Sequence, residues 1–307
     1  MKNDTILSVR DIRAILPVRP EFLMLDRVKV IDEDHLAGWR NLTIGDAFFQ
    51  GHFPGHPILP GVLQVEAIAQ LAEIAVWERL DPKRELDLYM KSVRNVKFRR
   101  PNTPGDRMFV EVAVASVENG EAKLSATVKN NGGLACQAEV VMAVRERVES
   151  LSEPPPFGGF DKADDSPLDV SAVMGVIPHR YPFLYVDYVT NLEPNVVTAV
   201  KNLGSCEPPI RAYSDGYMVL ANSIQPEIIA QAGAVLILGN EANKNKLAFF
   251  MGIESAEFKA PVFPGDQLVM TLDLPTFTRR FGKGTGTLSV DGRVVTELAM
   301  AFALVDK

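Results

Sequence analysis

Two side chains that can move protons, His52 and Glu66, lie fourteen positions apart in residues 48–70, FFQGHFPGHPILPGVLQVEAIAQ. This stretch joins a Gly/Pro-dense loop, carrying His52 and His56, to an apolar segment carrying Glu66. An imidazole with an ordinary pKa of about 6.5 is a suitable base near neutral pH. A carboxyl buried without a partner is raised, because its charged form loses hydration, and it can then hold a proton and donate it. His52 and His56 are four apart, which invites a metal reading. The intervening Phe53-Pro54-Gly55 is not helical, and no cysteine or third histidine stands nearby, so no metal is expected.

The element that must position these groups is the segment after the loop. Residues 62–79 show Leu63, Ile68, Leu71, Ile74, Val76 and Trp77 around most of a helical circumference, which predicts a helix buried nearly all round. Such a helix is too short to span a membrane. The 307 residues, 47% hydrophobic and 23% charged, allow one large or two ordinary domains. A net charge of −7 argues against nucleic acid as the main partner. Cys136 and Cys206 form no framework or metal pattern. No secretory or transit character is read at the start, and no apolar run reaches eighteen residues. The expectation is a cytoplasmic protein without a membrane span.

The chain repeats itself. At a shift of 161, Pro17, Arg19, Phe22, Leu23 and Asp26 fall on Pro178, Arg180, Phe183, Leu184 and Asp187. Gln64, Glu66, Ile68, Ala69 and Gln70 fall on Gln225, Glu227, Ile229, Ala230 and Gln231. At a shift of 160, Phe98, Pro101, Pro104, Gly105 and Asp106 fall on Phe258, Pro261, Pro264, Gly265 and Asp266. The chain therefore reads as two copies, 1–147 and 170–307, joined by a Pro/Gly/acidic linker at 148–169 whose triple proline stiffens it. Each copy has one order of elements: a short amphipathic helix (9–16; 170–177), two strands (22–30 and 36–42; 183–192 and 196–203), the loop and buried helix, and then strands. In the first copy these last strands are placed at 89–98, 108–118, 121–130 and 134–144. Their alternation fits a sheet with one buried face. The predicted class is α+β, with an antiparallel sheet wrapped around one long apolar helix in each copy.

The loop GHFPGHPILPGV followed by Glu66 closely resembles 3-hydroxyacyl-[acyl-carrier-protein] dehydratases of the FabZ type. Lys97-Phe98-Arg99-Arg100-Pro101, Pro104-Gly105-Asp106 and, in the second copy, residues 177–183 (IPHRYPF) also look like that family. The resemblance implies a double hot-dog fold, with the histidine and the glutamate of each site coming from opposite halves. The copies are unequal. Tyr213 stands in the second copy where His52 stands in the first, and Ala221 and Asn222 replace Pro60 and Gly61. The expectation is one working site, His52 with Glu227, and a decayed one, Tyr213 with Glu66. Glu66 remains the alternative partner of His52. His179 is expected to cap or pack a turn, and Ser223 to cap the second long helix ahead of Pro226.

The implied reaction removes a Cα proton and a Cβ hydroxyl from a 3-hydroxyacyl thioester, without cofactor or metal. His52 is the expected base, and a carboxyl assists the departing hydroxyl. Gly61 and Val62, at a helix N-terminus, are expected to face the charge growing on the thioester oxygen. The Phe53-Pro54-Gly55 turn is expected to line the substrate site. The family's partner, an acidic acyl carrier protein, implies a basic rim, for which Lys91, Arg94, Lys97, Arg99 and Arg100 are candidates. Charge guarding a strand edge is the plainer reading of the same residues. A hot-dog thioesterase and a non-catalytic acyl-binding scaffold are the competing functions, and a homo-oligomer of such pseudo-dimers is conceivable.

Overall fold

The computed structural model describes residues 2–148, 162, 166–243, 246–277 and 280–306. Most of the expected linker, 149–161 and 163–165, lies outside the described residues. The helices are α1 (Val9–Ile15), α2 (Phe48–Gly51), α3 (Gly61–Leu80), α4 (Val170–Val176) and α5 (Gln225–Leu238). The first half contributes strands β1 (Ile6–Leu7), β2 (Arg27–Val30), β3 (His35–Asn41), β4 (Asp87–Phe98), β5 (Arg107–Glu118), β6 (Glu121–Asn130) and β7 (Gly133–Arg145). The second contributes β8 (Tyr188–Leu192), β9 (Val196–Asn202), β10 (Ile210–Ala212), β11 (Met218–Leu220), β12 (Lys246–Phe258), β13 (Gln267–Phe277), β14 (Phe281–Val290) and β15 (Arg293–Asp306).

All but β10 and β11 join one thirteen-stranded antiparallel sheet, ordered β1-β2-β3-β5-β6-β7-β4-β12-β15-β14-β13-β9-β8. The halves meet where β4 pairs with β12. Val96 stands opposite Ile253, the counterpart of Val93, and Val93 stands opposite Ala256, the counterpart of Val96. This crosswise register is that of a twofold, isologous interface, here built within one chain. The architecture is a double hot-dog, as the resemblance implied. Helix α3 packs on β5, β6 and β7, and α5 on β13, β12 and β9. Residues 62–76 of α3 are all buried, as the all-round apolar pattern predicted.

Two expectations need correction. The strands expected at 22–30 and 183–192 begin only at Arg27 and Tyr188. The Gln70 amide captures the backbone ahead of β2, donating to Phe22 O and accepting from Met24 N. Gln231 does the same with Phe183 O and Tyr185 N. Backbone groups held by a buried side chain cannot pair in a ladder. Ser223 does not cap α5 either. It sits in a 3-10 turn, Asn222–Ile224, and its hydroxyl is turned to Glu66, while Pro226 lies in the first turn of α5.

Candidate active site

The site forms where the first half's histidine loop meets the second half's turn at 179–183. The carbonyl of Gly51 accepts from Arg180 N at 3.0 Å. A Cβ on Gly51 would lie 2.2 Å from the Arg180 carbonyl oxygen and 2.9 Å from Phe183 N, so only glycine lets the two backbones touch. Gly51→Ala should push the halves apart next to His52 and lower turnover by more than tenfold, on the scale of a 1 Å misplacement. Activity measured per folded protein, with folding followed by circular dichroism, checks this.

That contact sets His52 within the second half. Its ring lies 5.5 Å from the His179 ring and 5.6 Å from Phe183, centroid to centroid. Its Nδ1 lies 2.8 Å from the carbonyl of Ile58. A carbonyl only accepts, so Nδ1 carries the proton, and neutral His52 presents its Nε2 lone pair. Burial, with the charge of His179 behind it, pushes the imidazole down to about 4, against the pull of Glu227 and the Ile58 carbonyl. His52 is therefore a neutral imidazole at physiological pH.

Glu227 reaches the same place from the first turn of α5. Burial favours its protonated form. The contact with His179, the charges of His179 and His52 and a bond from Gln231 outweigh burial and hold it below the usual carboxylate range. The Gln231 amide donates to its Oε1 at 2.9 Å, and His179 Nε2 stands 3.5 Å from the same oxygen. Gln231 is the residue whose amide also holds the chain ahead of β8, so α5 and that segment jointly fix the carboxylate.

His52, His179 and Glu227 line one cavity of 450 Å³. Its walls beyond these groups are largely apolar: Phe98 and Leu59 from the first half, and Ala234, Ile237, Phe250 and Met300 from the second. A slot of that size between helix and sheet suits an acyl chain.

The pseudo-symmetric place around Glu66 is closed, with a space of only 10 Å³. Glu66 accepts from Ser223 Oγ at 2.5 Å and from Gln70 at 2.7 Å. Burial raises its carboxyl, against those two bonds and the charge of Arg211. Where the first half has α2 and the histidine loop, the second has the hairpin β10–β11. Tyr213 donates to Asp87 Oδ1 at 2.6 Å, Asp87 is ion-paired with Arg145, and Arg211 donates to Tyr213 and to Glu73 at 3.0 Å. Glu73 is the counterpart of Ala234, which lines the open cavity. The ion pair thus fills the position that the other half leaves open.

The remaining expected residues separate. Phe53 lines the cavity; Pro54 and Gly55 are exposed and do not. Gly61 lines it, but its missing Cβ, which would lie 2.8 Å from the Phe98 ring, makes room for that ring rather than for a ligand. Val62 is fully buried behind it. Arg99 and Arg100 line the cavity; Lys91 and Arg94 are ion-paired with Glu121 and Glu257 on the strands, and Lys97 is exposed on β4. His179, read from sequence as a capping or packing residue, lies within the site. The usable signal was that its counterpart in the first copy is Val18. Among the described residues no cluster of three metal-ligating side chains occurs, and no helix is long and apolar enough to cross a membrane.

The chain is 42% identical over 139 residues to the 3-hydroxyacyl-[acyl-carrier-protein] dehydratase FabZ of Geobacter metallireducens, covering 45% of this chain and 93% of that protein. It is 43% identical over 141 residues to that of Bacillus licheniformis, covering 46% and 98%. Among solved structures, the chain is similar to the dehydratase domain of RzxB from Pseudomonas fluorescens, with a TM-score of 0.54, 12% identity and coverage of 87% and 94%. It is also similar to an oleoyl thioesterase (putative) from Lactobacillus plantarum, with a TM-score of 0.57, 7% identity and coverage of 89% and 97%. At such identities the structural likenesses speak for the fold alone. A family model, the FabA-like domain, matches residues 16–145 and again 177–299. Matched once in each half, the chain belongs to the FabA-like domain family.

Proposed function

We propose that this protein dehydrates 3-hydroxyacyl thioesters of acyl carrier protein to trans-2-enoyl thioesters, in fatty-acid or polyketide-like synthesis in the cytoplasm, using one site per chain. The observation that carries the reading is that His52 and Glu227, from opposite halves, line one apolar cavity while Glu66 is walled in. The relatives named above are dehydratases of this kind.

In the proposed reaction His52 Nε2 takes the Cα proton, and charge builds on the thioester oxygen. The backbone amide of Gly61, at the cavity wall and the start of α3, stands at the positive end of the helix dipole and opposes that charge. The Cβ–O bond then breaks on the Glu227 side, where the leaving hydroxyl is protonated. The acyl chain occupies the slot bounded by Ala234, Ile237 and Met300. Arg99 and Arg100, at the cavity, and Lys97 beside them are the cations left to meet an acidic carrier. Lys91 and Arg94 extend the same strand but already have carboxylate partners.

Incubation with a 3-hydroxyacyl thioester should produce enoyl absorbance, reversibly, and no free thiol. Thiol release without enoyl would replace the reading by a thioesterase, and neither signal by a binding scaffold. The pH dependence adds a second check. The base must be neutral, so kcat/KM rises with pH through the pKa of His52 and levels above it. With His52 at about 4, the rate should still be level at pH 5. An unperturbed imidazole would already have lost roughly thirtyfold there.

A further inference from the structure

His179 stands beside Glu227 and has no part in the chemistry above. It is buried, 7% exposed, with Nε2 3.5 Å from Glu227 Oε1. Its ring also lies 5.0 Å from Phe53 and 5.5 Å from His52. Its Nδ1 is buried without a hydrogen-bond partner. An orphaned buried nitrogen calls for an explanation such as a catalytic role. The other groups that meet Glu227 are the Gln231 amide, His52 and Tyr185. Arg180, next in the chain, is turned away, donating to the carbonyls of Ile177, His179 and Met174.

The chain carries its own control. Glu66 and Glu227 occupy equivalent positions on equivalent helices, each bonded to an equivalent glutamine. The half that holds the open cavity has His179, and the closed one has Val18 at the same place. Packing alone is satisfied by valine there. The two carboxyls also differ in state. Burial raises Glu66, whereas His179 and the neighbouring charges overcome burial and keep Glu227 ionised. An ionised carboxylate cannot by itself protonate a departing hydroxide, so it needs a proton held close behind it.

We propose that His179 and Glu227 share one proton, which His179 stores and Glu227 delivers to the hydroxyl leaving Cβ; this rests on the dehydratase reading. In the step, the Cα–H bond gives its proton to His52 Nε2 and its electron pair to the new Cα–Cβ double bond. The Cβ–O bond breaks with its pair on oxygen. That oxygen takes the proton passed from His179 through Glu227 and departs as water. His52 then holds one proton more and the His179–Glu227 couple one fewer. Return of the proton through water resets the site. His179 acts through Glu227 and is a positioning residue.

His179→Val, the residue the other half uses, and His179→Gln, which can donate to the carboxylate but holds no titratable proton, separate the roles. With the glutamate carboxyls labelled with carbon-13, His179→Val should raise the titration midpoint of Glu227 by at least about one unit. In both variants kcat should fall at least tenfold with KM within threefold, since substrate binding is left intact. An unchanged Glu227 midpoint, or a fall in kcat of less than tenfold in either variant, overturns the couple. Should His179→Val not fold, His179→Ala, which likewise donates nothing to the carboxylate, takes its place in both measurements. If the wild type makes no enoyl product, the dehydratase reading fails; the carboxyl titration needs no substrate and still decides whether His179 controls Glu227.

Discussion

His52→Ala and Glu227→Gln should each lower kcat/KM for a 3-hydroxyacyl thioester by at least about a hundredfold, the lower end of what general acid–base groups contribute, while Glu66→Gln stays within about threefold of wild type. The two glutamates are counterparts at a shift of 161, and each is buried and bonded to its own glutamine. What separates them is what they face. Glu227 shares a 450 Å³ cavity with an imidazole whose Nε2 is free to take a proton. Glu66 faces Ser223 Oγ at 2.5 Å in a space of 10 Å³, with Tyr213 in the histidine's place. A phenol is a poor base at neutral pH, and burial pushes that of Tyr213 well above its ordinary range, against the charge of Arg211. Initial rates of enoyl formation for the three variants test the assignment. A dead Glu66→Gln with an active Glu227→Gln would mean that the catalytic carboxylate lies in the same half as its histidine.

Much of this arrangement was legible in the sequence, because the features concerned are local or repeated. The helix at 61–80 announced its burial through apolar residues on every face. The repeat register placed Glu227 opposite Glu66 and Tyr213 opposite His52 without any coordinates. What could not be read depends on contacts far apart in the chain. Crosswise pairing of β4 with β12 needs the twofold relation of the halves, and strand propensity is silent on which edges meet. Gln70 and Gln231 looked like polar residues on apolar helices. Their capture of the backbone ahead of β2 and β8 appears only once helix and strand are brought together. His179 lies 48 positions before Glu227 in sequence, and a histidine in a turn carries no sign of its partner. Arg211 and Glu73 are 138 residues apart, and neither belongs to the motifs that carry the resemblance.

Arg211→Met should destabilise the protein by about 3–5 kcal/mol, the usual cost of removing one partner of a buried ion pair, with turnover per folded molecule unchanged. Arg211 and Glu73 are both nearly inaccessible, and their side chains meet at 3.0 Å. Arg211 also donates to the Leu88 carbonyl at 3.1 Å and to Tyr213 at 3.0 Å, so its loss strips three acceptors at once. Burial already pushes the Glu73 carboxyl up to about 7, against the attraction of Arg211 and with Asp87 and Glu66 adding repulsion. Without the arginine that carboxyl rises further. The sign follows: a folded-state pKa above the unfolded value makes the folded form favoured at low pH and penalised as pH rises. The deficit of Arg211→Met should therefore be larger at pH 8 than at pH 5. Chemical denaturation at the two pH values measures it. The double variant Arg211→Met/Glu73→Leu removes both charges and refills the volume with apolar atoms, the kind of exchange that is often neutral or stabilising; it should recover most of the loss and flatten the pH dependence. Equal stability of Arg211→Met and wild type at both pH values would show that the pair does not hold the closed tunnel together. The counterpart of Glu73 is Ala234, in the wall of the open cavity, so at one pair of equivalent positions one half of the molecule holds a buried ion pair and the other the wall of an open space.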